Sequence, residues 1–142
     1  MNQVKHLLEI KGNAVHAIAP DAAVLEAVRL MAERRVGALL VMRGEQLVGI
    51  VSERDYARKV ILQGRSSGGT PVAEIMSAPP VTVGPDTEVL ECMRLCTHSR
   101  IRHLPVVEGN VVVGVISIGD LVKAVIDEQA EQIEQLQRYI TS

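Results

Sequence analysis

No phenylalanine and no tryptophan occurs in the 142 residues, and Tyr56 and Tyr139 are the whole aromatic complement. A core without large rings must be filled by Val, Leu, Ile, Ala and Met, and any ligand pocket must have aliphatic walls. The same absence removes the stacking platforms of single-strand nucleic-acid binders, and a net charge of -2 gives no field to gather a polyanion. Nucleic acid is therefore not an expected partner. Long apolar runs are also missing: none approaches the ~20 residues that cross a bilayer, and the opening MNQVKHLLEIKG is too polar for a secretory core. The expectation is a cytoplasmic chain that contacts no membrane. Cysteine is scarce, and Cys92 and Cys96 stand one helical turn apart rather than at C-x-x-C spacing, as small core residues would. What remains is a chain 47% hydrophobic, enough to bury a core as one domain or as two small packed units.

The chain is written twice. IAPDAAVLEAVRLMAERRVGALLVMRGEQLVGIVSERD (18–55) runs without a gap against VGPDTEVLECMRLCTHSRIRHLPVVEGNVVVGVISIGD (83–120), at a constant offset of 65. Identical pairs include Pro20/Pro85, Asp21/Asp86, Arg35/Arg100, Gly44/Gly109, Gly49/Gly114, Ser52/Ser117 and Asp55/Asp120.

Periodicity within each copy predicts β-α-β-β-α. A short strand at 15–18 (81–83 in the copy) ends at Pro-Asp, where Asp21 and Asp86 suit a helix N-cap. Val24, Leu25, Val28, Met31 and Ala32 then recur at helical spacing, as do Val89, Leu90, Met93 and Cys96. ALLVM and QLVGIV, joined by RGE, read as a tight hairpin, and HLPVV and VVVGVI, joined by EGN, repeat it. A second helix follows from Ser52 and from Ser117. The boundaries expected are 1–63 for an N-terminal helix and first repeat, 64–78 for a Gly- and Pro-rich linker with one helical turn, and 79–142 for the second repeat with an extended C-terminal helix. In that last helix Val122, Val125, Ile126, Ile133, Leu136 and Ile140 form a stripe longer than one small domain needs. Docking on its own domain and packing against a partner helix both fit.

Ser52 and Asp55, with Ser117 and Asp120, fit a helix N-cap with an acidic residue three positions on. A Ser hydroxyl and backbone N–H groups at a helix start also suit a phosphate, and a carboxylate beside them suits two vicinal hydroxyls. A ribose next to a phosphate satisfies both requirements.

With its Pro-Asp helix start, Gly turn and closing G-[IV]-[VI]-S-x-x-D, the doubled unit resembles the cystathionine β-synthase (CBS) domain pair, or Bateman module, over about residues 13–127. VSERDYARKV and RIRHLPVVEGN look like its stand-alone bacterial members. The resemblance implies an α/β (α+β) fold of two repeats packed with pseudo-twofold symmetry, plus terminal helices. It also implies a non-catalytic regulatory module that binds an adenine nucleotide in the clefts between repeats. AMP is the leading ligand, and ATP, NADH and S-adenosylmethionine are others of the family. A homodimer through the repeats and helices, an unidentified regulated protein and no metal complete the expectation; the alternative is a constitutive dimerisation scaffold with vestigial clefts.

The family pattern pairs the S-x-x-D of one repeat with the second-strand start of the other. Ser52, Arg54 and Asp55 would then share a cationic cleft with Arg102 and His103, whereas Ser117 and Asp120 would face the neutral Gly37 and Ala38. The Asp55 cleft is accordingly expected to bind phosphorylated nucleotide more tightly, more so while His103 is protonated. Ile18, Val36, Val83 and Ile101 are the candidates for aliphatic adenine contacts, with Gly37 and Ala38 leaving room.

Overall fold

The computed structural model describes residues 2–141. The chain divides into two compact units, one made of residues 14–81 and the other of residues up to 13 together with 82 onward.

In the first unit, β1 (Ala17–Ile18), α2 (Val24–Arg34), β2 (Ala38–Arg43) and β3 (Gln46–Ser52) lead into a single α turn, α3 (Glu53–Tyr56). The helix expected from Ser52 does not continue as α: it widens into a π turn over Ala57–Ile61. β1 lies parallel to β2 through Ala17↔Leu40 and Ile18↔Val41, and β2 and β3 form an antiparallel hairpin from Arg43↔Gln46 to Ala38↔Ser52. The hairpin connection is two residues, not three, with Gly44 at φ +62 supplying the left-handed backbone that such a turn requires. Val24, Ala27, Met31, Leu39, Val41 and Val51 fill the core. Ala32, expected on the buried stripe, is exposed, and Ala27 takes its place.

The second unit repeats the plan with α4 (Val89–Ser99), β4 (His103–Glu108), β5 (Val111–Ser117) and α5 (Ile118–Thr141). The strand expected at 81–83 shrinks to one parallel bridge, Val83↔Val106. The Cys92 and Cys96 side chains are buried in α4, and burial first, with Cys96 and Glu91 adding, pushes the Cys92 thiol up to about 11. They are core residues.

Asp21 and Asp86 do not cap their helices. The N-cap positions are Ala23 and Glu88, neither with a side-chain bond, because backbone carbonyls from a segment distant in sequence take over the task. The Val24 N–H donates to Thr70 O at 2.8 Å, and the Val89 N–H to Asn2 O at 2.7 Å.

That equivalence extends along two short helices. In the second unit, α1 (Val4–Lys11) donates from Val4 and Lys5 to the Thr87 and Pro85 carbonyls, both at 2.9 Å. In the first unit, the 3₁₀ turn Val72–Glu74 donates from Val72 and Ala73 to Ala22 and Pro20, at 2.8 and 2.9 Å. Val72 and Ile75 are fully buried there, as Val4 is in the second unit, where Leu7 is also buried. The segment read as a linker is thus a core strap of the first repeat, and the helix read with the first repeat straps the second. Each strap crosses a glycine: a Cβ on Gly49 would lie 2.7 Å from Met76 Sδ, and one on Gly114 2.6 Å from Leu8 Cδ2. At Gly49 the Ser77 carbonyl would also lie 2.9 Å from that Cβ, so only glycine admits the approach there.

Candidate functional site

In both repeats the first helix ends on an arginine in the left-handed region, Arg35 and Arg100, each at φ 55. A left-handed C-cap stops a helix and turns the chain. Here it delivers Val36–Gly37–Ala38 and Ile101–Arg102–His103 to the starts of β2 and β4, beside the ends of β3 and β5.

In the first repeat Ala38 stands opposite Ser52 in the hairpin, and the Glu53 N–H donates to Gly37 O at 3.0 Å. Ser52 caps α3: the Asp55 N–H donates to Ser52 Oγ at 3.2 Å, while the Ser52 N–H and Oγ–H donate to Asp55 Oδ2 at 2.9 and 3.0 Å. This reciprocal box fixes the carboxylate's rotamer. Lys59, one turn on, reaches Asp55 Oδ1 at 3.2 Å and Ile75 O at 2.9 Å. Glu53 and Arg54 are exposed, and Ile18, Val36, Gly37 and Ala38 are half-buried.

The second repeat builds the same box. The Ser117 N–H donates to Asp120 Oδ2 at 2.8 Å and the Asp120 N–H to Ser117 Oγ at 3.2 Å. His103 stands opposite Ser117, and the Ile118 N–H donates to Arg102 O at 2.8 Å. Within the repeats, then, Arg102 and His103 adjoin Ser117 and Asp120, and Gly37 and Ala38 adjoin Ser52 and Asp55. Ile101, just before this motif, is half-buried, and Val83, bridged to Val106 farther along β4, is buried.

Sequence reasoning missed Lys11. From the end of α1 its Nζ donates to Asp120 Oδ2 at 2.6 Å and to Val115 O at 2.7 Å. The residue lies outside the aligned repeat, and its strap counterpart is Pro79, so no internal comparison could point to it. The strap itself was legible only in the faint match of VKHLL to VAEIM.

Burial alone would raise the Asp120 carboxyl, but the bonds from Lys11 and Ser117 outweigh it and hold the group below its usual range. Burial first, then Lys11 and Arg102, lowers His103 below its ordinary 6.5, with Asp120 opposing. At neutral pH the imidazole is uncharged.

The same shift is a stability statement. Because the unfolded chain takes up the His103 proton first, stability should fall as pH drops below 6.5. A further loss should follow below 3.8 as the Asp120 carboxylate protonates. Urea midpoints against pH check this: His103→Asn should remove the upper part of the decline and leave the lower one, and an unchanged profile contradicts the linkage.

The chain matches the CBS domain family over residues 9–61 and 72–127. It is 48% identical over 125 residues to the mitochondrial CBS domain-containing protein CBSX3 of Arabidopsis thaliana, covering 84% of this chain and 61% of that one, so it spans less than two thirds of that relative. Among solved structures, a CBS-domain protein from Burkholderia ambifaria superposes with a TM-score of 0.86 at 48% identity, over 89% of this chain and 96% of that one. A CBS domain protein of Pyrobaculum aerophilum, complexed with AMP, superposes with a TM-score of 0.78 at 28% identity, over 91% and 98%. A doubled β-α-β-β-α unit closed twice by a Ser–Asp box, with these likenesses, places the chain in the CBS-domain family, as a tandem pair of its repeats.

Proposed function

We propose that the protein is a non-catalytic sensor that binds an adenine nucleotide at the Ser–Asp box of each repeat, with AMP as the first candidate and ATP or NADH as others. The observation that carries this reading is the carboxylate pinned at the same place twice, at the mouth of a hairpin with aliphatic residues beside it. A carboxylate fixed in this way can accept from both hydroxyls of a ribose. Asp120 suits this best, because the Lys11 ammonium and the Ser117 N–H both bond Oδ2, which leaves Oδ1 to a diol. Arg54 in the first repeat, and Arg102 and Lys11 in the second, are cations within reach of the box for a phosphate. The AMP complex of the Pyrobaculum relative supports the choice of ligand. Thermal-shift titration tests it: at least one of AMP, ATP and NADH should raise the melting temperature with concentration, and no shift with any of them sinks the proposal.

Lys11 separates binding from a bland alternative. If the carboxylates serve only as internal ion-pair partners in a constitutive scaffold, Lys11→Met changes stability and nothing else. If Asp120 takes a ribose, removing Lys11 frees the carboxylate but withdraws a cation. Adenosine binding should tighten and ATP binding weaken, an opposed pair of shifts readable by calorimetry.

A further inference from the structure

The apolar side chains of α5 fall on two faces. Leu121 and Val125 turn toward the body of their unit, where α5 packs on α4. Val122, Ile126, Ile133, Leu136 and Ile140 do not: they are 42, 58, 56, 61 and 79% exposed. From Ala130 to Thr141 every residue of the helix is exposed. A helical stretch of that length with so little burial is marginal in water, so its order calls for something that covers the apolar side.

The spacing says what. With Gln129 included, the row advances by alternating steps of four and three, which is the heptad seam of a coiled coil: Ile126, Ile133 and Ile140 at the a positions, Val122, Gln129 and Leu136 at the d positions. Isoleucine at the three a positions, with leucine at one d position, Leu136, fits two parallel strands. The charges agree. Asp127, Glu128, Glu131, Glu134 and Arg138 all lie outside the seam and its flanks. The residues that would face each other across a parallel pair, Val125 with Ala130 and Gln132 with Gln137, are uncharged. A second copy of this helix therefore meets no like charge at the flanks, where the one charged residue, Lys123, would face Ile118.

Gln129 chooses the orientation. In a parallel, in-register pair it faces its own copy, and the two amides can each donate and accept. An antiparallel pairing of the same 122–140 seam sets Gln129 against Ile133 and buries an amide with no partner.

We propose that α5 pairs with α5 of a second copy of this chain as a parallel two-stranded coiled coil along 122–140. The test is sedimentation of the full chain together with Ile140→Cys. Cys92 and Cys96 are buried, so Ile140→Cys should join itself in an interchain disulfide on air oxidation. Ile133→Asp, at an exposed position that leaves the repeats folded by circular dichroism, should abolish that cross-link and weaken dimerisation by at least about tenfold. A wild-type chain that remains monomeric at the highest soluble concentration overturns the proposal. So does a dimer that resists Ile133→Asp, or one in which Ile140→Cys fails to cross-link, the mark of an antiparallel or unrelated contact.

Discussion

Asp120→Asn is expected to weaken AMP binding at the second repeat by about tenfold to a hundredfold, the worth of roughly 1.5–3 kcal/mol for hydrogen bonds to a charged group. The amide keeps an oxygen to accept from the Ser117 N–H, so the box and the fold survive and the loss reports on the ligand. Asp55→Asn should weaken binding at the first repeat by less. The reason is local: each box has one exposed arginine, Arg102 or Arg54, and one lysine shared with a backbone carbonyl, but Lys59 already engages Oδ1 of Asp55, whereas Lys11 and Ser117 bond Oδ2 of Asp120. Equal losses, measured by calorimetry on each variant, would remove the argument from the open oxygen.

Ile75→Ala is the corresponding result for stability. In a solvated linker the truncation would cost almost nothing. Ile75 is instead fully buried against the α2, β2 and β3 side chains of the first repeat, and emptying such a site costs about 2–5 kcal/mol. Chemical denaturation should show the loss in the transition of the first unit. A neutral effect would mean that the segment is a tether after all.

These two results divide along what the sequence could tell. The hairpins, their glycine turns, the two amphipathic helices and the Ser–Asp boxes all depend on residues a few positions apart, and the repeat announced them twice. The straps depend on pairings across long stretches of chain, Thr70 with Val24 and Asn2 with Val89, and local periodicity carries no signal for those. The caps assigned to Asp21 and Asp86 failed for the same reason, since a distant carbonyl can meet a helix N–H as well as a nearby carboxylate. Arg102 and His103 were expected to serve the Asp55 cleft; within their own repeat they stand beside the Ser117–Asp120 box. Which box they adjoin within a repeat follows from strand register, set by the two-residue turn at Gly109 and Asn110.

Much of the site's electrostatics was equally hidden. Arg54 stands out in the sequence because the copy has Gly119 in its place, yet the cation bonded to the boxed carboxylate in the second repeat is Lys11, over a hundred residues away in sequence. The His103 environment likewise inverts a simple expectation. A histidine beside a phosphate site reads as a cation, but burial and its neighbours Lys11 and Arg102 hold it neutral.

The central claim is that the two Ser–Asp boxes hold an adenine nucleotide. Titration calorimetry of nucleotide-stripped protein with AMP, beside the Asp55→Asn, Asp120→Asn double variant, measures it most directly. Saturable heat from the wild-type chain that vanishes in the folded double variant is the predicted result; heat undiminished in the double variant, or none from the wild type with AMP, ATP or NADH, would contradict it.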